Sequence, residues 1–231
     1  MASTAAVFFD VDFTLIHPGH RFQAAGYQET CARHGLSVDP ARFEAAVRGA
    51  AEALESADQL YDPALFVNYT GRIIELMGGA GPAVAEAARD LYDAWAEQHH
   101  FVLYDDVADS LKALAESGFR LGVISNSHRC LQSFRSHFNL NGVISVTVSS
   151  LEHGFLKPHP SIFRAALARA RVRADEAAMV GDNFVHDVLG ARRVGMRGIL
   201  LARGGTERPD VDPPVDVIRS LVELPALLEP V

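Results

Sequence analysis

Short apolar runs alternate with segments of helical period along most of this chain, and that alternation limits the possible folds more than any other feature. The runs are rich in β-branched or aromatic residues and nearly continuously apolar, as expected of strands buried on both faces of a parallel sheet. Strands are predicted over Val7–Phe9, Arg120–Ile124, Val143–Val148, Ala177–Val180 and Arg197–Leu201. Helices are predicted over Val107–Glu116, Leu131–His137, Ile162–Ala170 and Val185–Val194, with Gly118 and Gly195 at C-caps. This order predicts a doubly wound α/β core with a parallel sheet.

One long interval interrupts the alternation. Between about His17 and Phe101 the chain is Ala-rich, carries Glu and Arg at helical spacing and shows no convincing strand. Helices are predicted there over Phe22–His34, Pro40–Ala53, Pro63–Leu76 and Pro82–Gln98. We therefore predict a core of residues 1–16 and 102–231 and an inserted helical bundle of residues 17–101, placed as a lid over the carboxyl ends of the strands. Towards the C terminus we predict a loop over Arg203–Pro214, a short strand over Val215–Ile218 and a helix over Arg219–Leu228.

The composition limits the partners and the compartment. With 231 residues, 48% of them hydrophobic, the chain can bury a substantial core. Its 21 basic and 29 acidic residues give a formal charge of -8, which argues against nucleic acid as a partner. Cys31 and Cys130 have no Cys-x-x-Cys spacing, so neither a disulfide framework nor a cysteine-bound zinc is indicated, and a cytoplasmic location is expected. Asp10 and Asp12 interrupt the N-terminal apolar run, so neither a signal peptide nor a membrane anchor is predicted. A monomer and a homodimer are both compatible with the sequence.

Two carboxylates one residue apart end the first predicted strand. The segment Phe9-Asp10-Val11-Asp12-Phe13-Thr14 brings both side chains to one site only if the chain turns after Asp10, because successive strand residues point to opposite faces. The hydroxyl of Thr14 would help to fix that turn. The alternative interpretation is a pair of loop aspartates that accept hydrogen bonds from nearby amides.

Three segments further along the chain carry polar groups that could complete a site with these two carboxylates. Ser125 follows a predicted strand, and Asn126 and Ser127 are expected to open the next helix, where hydroxyl and backbone donors bind anions. Ser127 also suits a plain N-cap. Lys157 precedes Pro158 and offers a point charge for a phosphoryl group.

The last of these segments is Gly181-Asp182-Asn183-Phe184-Val185-His186-Asp187, at the end of another predicted strand. Gly181 permits a close approach of the backbone. With Asp10 and the backbone carbonyl of Asp12, Asp182 forms an oxygen set suited to Mg²⁺, and Asp187 is placed to hold a metal-bound water or Lys157. Alternatively, Asp182 and Asp187 are acids favoured by a helix N terminus.

The order Asp-x-Asp-x-Thr, Ser-Asn, Lys-Pro and Gly-Asp-x-x-x-x-Asp resembles the four motifs of the haloacid dehalogenase superfamily over nearly the whole chain. This resemblance implies that Asp10 is a nucleophile that forms an aspartyl phosphate, and that Asp12 protonates the leaving oxygen and then activates water. It also implies a helical cap domain. The remaining roles that it implies are phosphate binding by Ser125, Asn126 and Lys157, Mg²⁺ binding by Asp10, Asp12 and Asp182, and support from Asp187 and Thr14. Phe13 departs from the family pattern, because many members carry glycine there.

The function implied is a Mg²⁺-dependent hydrolase of a small phosphorylated metabolite. A 2-haloacid dehalogenase would share the nucleophile but lack the second aspartate, and a β-phosphoglucomutase-type phosphomutase would share all the core motifs. A non-catalytic interaction protein would be expected to lose at least one of the key groups, and none is lost. Four histidines at the ends of the insertion are interpreted as solvated residues rather than substrate ligands: His17, His20, His99 and His100.

Overall fold

The protein is described from a computed structural model that covers residues 4–54, 59–205 and 211–228. In these residues the strands are β1 Ala6–Phe9, β2 Ile16–Pro18, β3 Phe101–Leu103, β4 Arg120–Ser125, β5 Ile144–Ser149, β6 Ala177–Gly181, β7 Arg197–Leu201 and β8 Asp216–Ile218. The α-helices are α1 Ala24–Arg33, α2 Phe43–Gly49, α3 Pro63–Leu76, α4 Ala83–Ala94, α5 Val107–Glu116, α6 Leu131–His137, α7 Ser150–His153, α8 Pro160–Ala170, α9 Gly190–Arg192 and α10 Leu224–Leu227. A π-helical segment spans Phe184–Leu189, and 3-10 turns span His20–Phe22, Pro40–Arg42, Ala51–Leu54, Gln98–His100, Ala174–Glu176 and Leu221–Glu223.

The chain divides into two compact units, one of Met1–His17 with Leu103–Val231 and the other of Pro18–Val102. The first unit contains a six-stranded sheet in the order β5-β4-β1-β6-β7-β8, with every neighbouring pair parallel. Helices connect its strands, so the predicted doubly wound α/β fold is confirmed.

The core of this unit is packed on both faces of the sheet. All residues of β1 are buried, as are five of the six in β4, which explains why these strands are apolar without alternation. A cluster of buried side chains joins the sheet to α8 and includes Phe8, Ile124, Val146, Ile162, Phe163 and Met179. Each fully buried Phe or Ile side chain of this kind stabilises the fold by about 1.5–3 kcal/mol.

The strand order places a topological switch at β1. The chain moves from β1 through β4 to β5, and then returns to add β6, β7 and β8 on the opposite side of β1. In open α/β sheets, ligands bind outside the carboxyl ends of the strands at such a point. The residues that follow β1 and β6 therefore lie where a binding site is expected.

The second unit contains the four helices α1 to α4. Helices α3 and α4 pack through small residues, where Gly71 faces Ala88 and Val84. Asp90 on α4 accepts hydrogen bonds from Arg21 at 2.7 Å and Arg33 at 3.2 Å and lies 3.2 Å from His34. Helix α4 is thereby tied to the N-terminal part of the unit.

Several predicted elements differ from the structure in ways that have a local cause. The predicted helix Pro40–Ala53 is split into a 3-10 turn, α2 and a second turn, because α2 ends at the poor helix former Gly49. The predicted helix Val185–Val194 begins as a π-helix. Strands β2 and β3 were missed, since three residues are too few to show a period of two. The helix predicted over Arg219–Leu228 is a 3-10 turn followed by α10.

Residues 206–210 of the predicted loop Arg203–Pro214 lie outside the described residues. Of the helices that the structure describes, none combines the length and apolar character needed to cross a bilayer.

Candidate active site

Asp10 and Asp182 lie side by side at the carboxyl ends of adjacent strands. Asp10 follows β1, and its backbone N–H donates to the carbonyl of Val180 in β6 at 2.9 Å. Asp182 follows β6 directly. The parallel register of β1 and β6 therefore brings together two carboxylates that are far apart in sequence.

Lys157 is a buried cation between two carboxylates. Its side chain is 2% exposed, and Nζ lies 2.6 Å from Asp10 Oδ1 and 2.6 Å from Asp187 Oδ1. Burial alone would lower the pKa of Lys157, but the charges of Asp10 and Asp187 and their hydrogen bonds outweigh it and raise the pKa. The lysine consequently stays charged across the physiological range.

The side chain of Asn126 fixes the backbone of Lys157. Its Oδ1 accepts from the Lys157 N–H at 2.6 Å, and its Nδ2 donates to the Lys157 carbonyl at 2.9 Å. Both ends of the amide are therefore used to position the lysine. The side-chain amide of Asn126 is thus occupied, and its backbone N–H is the donor that remains for an anion.

Asp187 reaches Lys157 because residue 181 is glycine. A Cβ at Gly181 would overlap the carboxyl group of Asp187, whose Oδ2 accepts from the Asn183 N–H at 3.1 Å. Asn183 caps the π-helical segment by accepting from Val185 N and His186 N. Asp187 lies in the wide first turn of this segment, and such π-helical turns are frequent at functional sites.

The hydroxyl of Thr14 is bonded to Asp182, not to its own turn as predicted. Thr14 Oγ1 donates to Asp182 Oδ1 at 3.0 Å and accepts from the Asp182 N–H at 3.1 Å, across 168 residues. This two-way contact fixes the orientation of Asp182, because a buried hydroxyl gains most when both its donor and its acceptor functions are satisfied.

The carboxylates form a group that could hold a cation. Oxygen atoms of Asp10, Asp182 and Asp187 all lie within 4.8 Å of one another. Partial burial, together with the charges of Asp10 and Asp187, raises the pKa of Asp182 to about 8. Burial and Asp187 likewise raise the pKa of Asp10, although Lys157 opposes them. A set of hard oxygen ligands with an excess of negative charge fits a divalent cation such as Mg²⁺.

Arg129 holds the carboxylate of Asp12, a contact that sequence analysis missed. Its guanidinium is fully buried, and its Nη1 donates to Asp12 Oδ1 at 2.9 Å and Oδ2 at 3.1 Å. Burial raises the pKa of Asp12, with Asp10 adding to the rise and Arg129 opposing it. The two residues are 117 positions apart, and no spacing marks this one arginine among the others. The contact could have been anticipated only on chemical grounds, since the Asp12 carboxylate lies near that of Asp10 and needs a cation beside it.

The loop after β4 differs from the prediction that Asn126 and Ser127 open a helix. Helix α6 begins at Leu131 with Cys130 at its N-cap, so Ser127 is not an N-cap. Ser127 Oγ instead accepts from the buried hydroxyl of Ser125 at 3.0 Å, and its carbonyl accepts from Ser150 Oγ at 3.3 Å. These bonds hold the chain away from helical geometry and direct Arg129 towards Asp12.

The chain is similar to known proteins in sequence and in fold. Residues 4–195 match the family model of the haloacid dehalogenase-like hydrolases. The chain belongs to that family. A haloacid dehalogenase-like hydrolase domain-containing protein 3 from Danio rerio is 32% identical over 232 residues, 96% of each protein. A glyceraldehyde 3-phosphate phosphatase from Pyrococcus abyssi is 30% identical over 204 residues, 86% of this chain and 81% of that one. The HAD-hydrolase YfnB from Bacillus subtilis, solved with magnesium, has a TM-score of 0.77 at 19% identity over 98% and 99% of the chains, which shows the shared fold.

Phe13 occupies a position where many haloacid dehalogenase-like hydrolases carry glycine, and the structure shows why glycine suits it. Its φ is 62°, in the left-handed region that strains side chains other than glycine. The turn is closed by hydrogen bonds from Leu15 N and Ile16 N to the carbonyl of Val11, at 2.9 and 3.1 Å. This turn is what lets Asp12 follow Asp10 out of the strand and approach Arg129.

We expect Asp182→Asn to stabilise the cation-free protein at alkaline pH. The folded pKa of Asp182 lies above its ordinary value of 3.8, so the stability from its protonated form is complete below about pH 4 and is lost as the pH rises through about 8. The amide of Asp182→Asn does not ionise, so the variant keeps this stability at high pH. Each kcal/mol of unfolding free energy that it gains should raise Tm by roughly 2–4 °C. Thermal unfolding with EDTA should show a gain at pH 9 that shrinks at pH 5. The exposed Asp105→Asn is the control, and an equal gain at both pH values would contradict the buried charge.

Proposed function

We propose that this chain is a phosphohydrolase that cleaves a small phosphomonoester through a phosphoaspartate at Asp10. The observation that carries the proposal is the buried Lys157, which lies 2.6 Å from Asp10 and from Asp187 beside the carboxylate of Asp182. This arrangement supports the proposal, because it offers a carboxylate, a fixed cation and a group of possible metal ligands within one site. The similarity to a glyceraldehyde 3-phosphate phosphatase supports phosphate ester hydrolysis over other hydrolytic reactions.

Mg²⁺ is the proposed cofactor. Asp10, Asp182 and the backbone carbonyl of Asp12 would hold it, and Asp187 would support the site through Lys157. Three carboxylates face one ammonium in this cluster, so a divalent ion would balance the remaining negative charge. When bound, such an ion draws charge from phosphate oxygens and offsets their repulsion by the carboxylates.

The chemistry begins with attack by a carboxylate oxygen of Asp10 on phosphorus. The bond from phosphorus to the ester oxygen breaks as the new bond forms, and Asp12 gives its proton to the departing oxygen. The raised pKa of Asp12 suits this role, because burial favours the protonated carboxyl. Arg129 keeps that carboxyl group in place and prevents it from turning away.

The second step regenerates the enzyme. Asp12, now ionised, takes a proton from water as the water oxygen attacks phosphorus, and the acyl phosphate bond to Asp10 breaks with release of inorganic phosphate. Lys157 neutralises charge on the phosphoryl group in both steps. The proposed phosphate donors, at the end of the adjacent strand β4, are the backbone N–H of Asn126 and the hydroxyl of Ser125, which would turn its proton from Ser127 to the phosphate.

The other proposed properties follow the same interpretation. The helical unit of residues 18–102 is proposed as the substrate-selecting cap. Cys31 and Cys130 are free, one buried and one exposed, which supports a reducing compartment such as the cytoplasm. A dehalogenase is less compatible with this site, because the Asp12–Arg129 pair and Asp182 would have no role in displacing a halide.

The proposal is tested by a screen for phosphate release from sugar phosphates, phosphoglycolate, nucleoside monophosphates and pyridoxal phosphate. Product analysis by NMR separates the alternatives, since a phosphomutase returns an isomeric phosphate ester where a phosphatase releases inorganic phosphate. Absence of both products across the panel, with the protein shown to be folded, would contradict the proposal.

We expect exhaustive treatment with EDTA to silence the enzyme and Mg²⁺ to restore it. Ca²⁺ should support turnover poorly, because its larger and more variable coordination would misplace the carboxylates. Initial rates before chelation, after it and after each addition give the measurement. Full activity in the chelated protein would contradict the cofactor, and chloride release from 2-chloropropionate should then be assayed.

A further inference from the structure

A second group of possible metal ligands lies in the helical unit, away from the carboxylate cluster in sequence. Glu97, His99 and His100 form it in and beside the 3-10 turn that precedes β3. Glu97 Oε2 lies 3.2 Å from His100 Nε2 and 3.5 Å from His99 Nε2, and the two imidazole centroids are 4.0 Å apart. We propose that these three side chains bind a transition-metal ion of the Zn²⁺ class through two imidazole nitrogens and one carboxylate oxygen.

The spacing of the ligand atoms fits a small ion with tetrahedral coordination. Bonds of about 2.0–2.1 Å to nitrogen and oxygen put neighbouring ligands of a tetrahedron roughly 3.3–3.4 Å apart. The two separations from Glu97 Oε2, 3.2 and 3.5 Å, lie on either side of that value. The donor atoms of the three residues all lie within 4.8 Å of one another, so small rotations of the exposed His99 and Glu97 side chains suffice to close the set.

The kind of donor decides the kind of ion. Mg²⁺ and Ca²⁺ prefer oxygen ligands, whereas imidazole suits Zn²⁺, Cu²⁺ and Ni²⁺. Two imidazoles and one carboxylate are therefore a set for a borderline transition ion. Three protein ligands leave a fourth tetrahedral position for water or another small ligand.

His100 gives the site a fixed point. Its carbonyl accepts from the Gly19 N–H at 2.7 Å, and its ring packs edge-on against Phe22 at 5.7 Å. Its side chain is 22% exposed, against 63% for His99, so packing restricts it more than its neighbour. The exposed His99 and Glu97 side chains can therefore close around an ion while His100 stays in place.

The same distances would also arise from an ordinary surface contact between a glutamate and two imidazoles. The chain offers a matched control for that case, because His20 lies 3.0 Å from Glu29 on the same unit, and within residues 4–54, 59–205 and 211–228 this pair belongs to no three-residue group of ligands. A metal site binds added Zn²⁺, whereas a simple ion pair between a glutamate and an imidazole does not. Of these two groups, the one with three ligands should bind Zn²⁺ tightly and the His20–Glu29 pair should not.

The test is equilibrium dialysis and calorimetric titration of the full chain with Zn²⁺, repeated for His99→Ala, Glu97→Gln and the control His20→Ala. The unaltered protein and His20→Ala should bind the ion equally. His99→Ala and Glu97→Gln should each bind one equivalent of Zn²⁺ fewer, or bind that equivalent at least about tenfold more weakly. A loss of about tenfold is typical even when only a residue that supports a ligand is removed. Both substituted side chains are exposed, so these variants should fold, which circular dichroism checks.

Co²⁺ substitution adds a readout of geometry. A tetrahedral nitrogen site gives a more intense visible absorption than a six-coordinate oxygen site, and this band should vanish in His99→Ala. Zn²⁺ bound by the carboxylates of Asp10, Asp182 and Asp187 would be present in the unaltered protein and in all three variants. It therefore cannot account for a difference in binding between them. Equal Zn²⁺ stoichiometry and affinity in the unaltered protein and in His99→Ala and Glu97→Gln would overturn the proposal, whatever the enzyme assays show.

Discussion

Asp10→Asn should reduce turnover by at least several orders of magnitude and leave the fold intact. An amide is a far poorer nucleophile than a carboxylate, and a covalent intermediate cannot form without the attacking oxygen. The substitution is nearly isosteric. The remaining amide oxygen can still accept from Lys157, which also keeps its partner Asp187 at 2.6 Å.

Two measurements test this prediction. Steady-state rates of Asp10→Asn are compared with those of Asp105→Asn, an exposed substitution of the same type. Mass spectrometry after rapid quenching of the unaltered enzyme should locate phosphate on the peptide that contains Asp10. Substantial activity in folded Asp10→Asn would remove the phosphoaspartate mechanism.

Arg129→Met is expected to lower both stability and turnover. It leaves Asp12 without its guanidinium partner, and removing one member of a buried ion pair typically costs about 3–5 kcal/mol. The rate should fall most with alkyl phosphates, whose leaving oxygen needs the proton of a correctly placed Asp12, and less with p-nitrophenyl phosphate, whose leaving group departs without one. Asp12→Ala, which lacks the proton donor altogether, gives the largest difference in rate loss to be expected between the two kinds of substrate.

Matched variants separate the structural effect from the catalytic one. Arg129→Lys keeps the charge but loses the planar fork, so its effects should be intermediate. Pairing Asp12→Asn with Arg129→Met removes the unpaired charge and should recover much of the lost Tm, but no activity with alkyl phosphates. Equal proportional losses for both leaving groups in Arg129→Met would show that the arginine supports folding alone.

The strands and several helices were predictable because their boundaries coincide with changes in polarity. Helices α5, α6 and α3 begin and end at the predicted residues, and the five core strands agree to within a residue. Asp10 and Asp182 could be paired in advance as well, since parallel strands deliver their following residues to one edge.

The remaining contacts depend on side-chain paths that no local pattern encodes. Arg129 lies in the serine-rich loop before α6, and the bonds of Ser125 and Ser127 that hold this loop form only in the folded chain. The reach of Thr14 to Asp182 spans 168 residues. Non-local hydrogen bonds of this kind arise from tertiary packing, which overrides the intrinsic preference of a segment.

Each of the two units closes on itself at the point where the chain leaves it. In the first, the Tyr104 N–H donates to the Leu15 carbonyl at 3.1 Å, and in the second the Gly19 N–H donates to the His100 carbonyl at 2.7 Å. A segment whose ends already meet can be exchanged, lengthened or replaced without opening the structure that receives it. An engineer could therefore graft a foreign helical module between Pro18 and Val102 while leaving the residues that hold Asp10 unchanged.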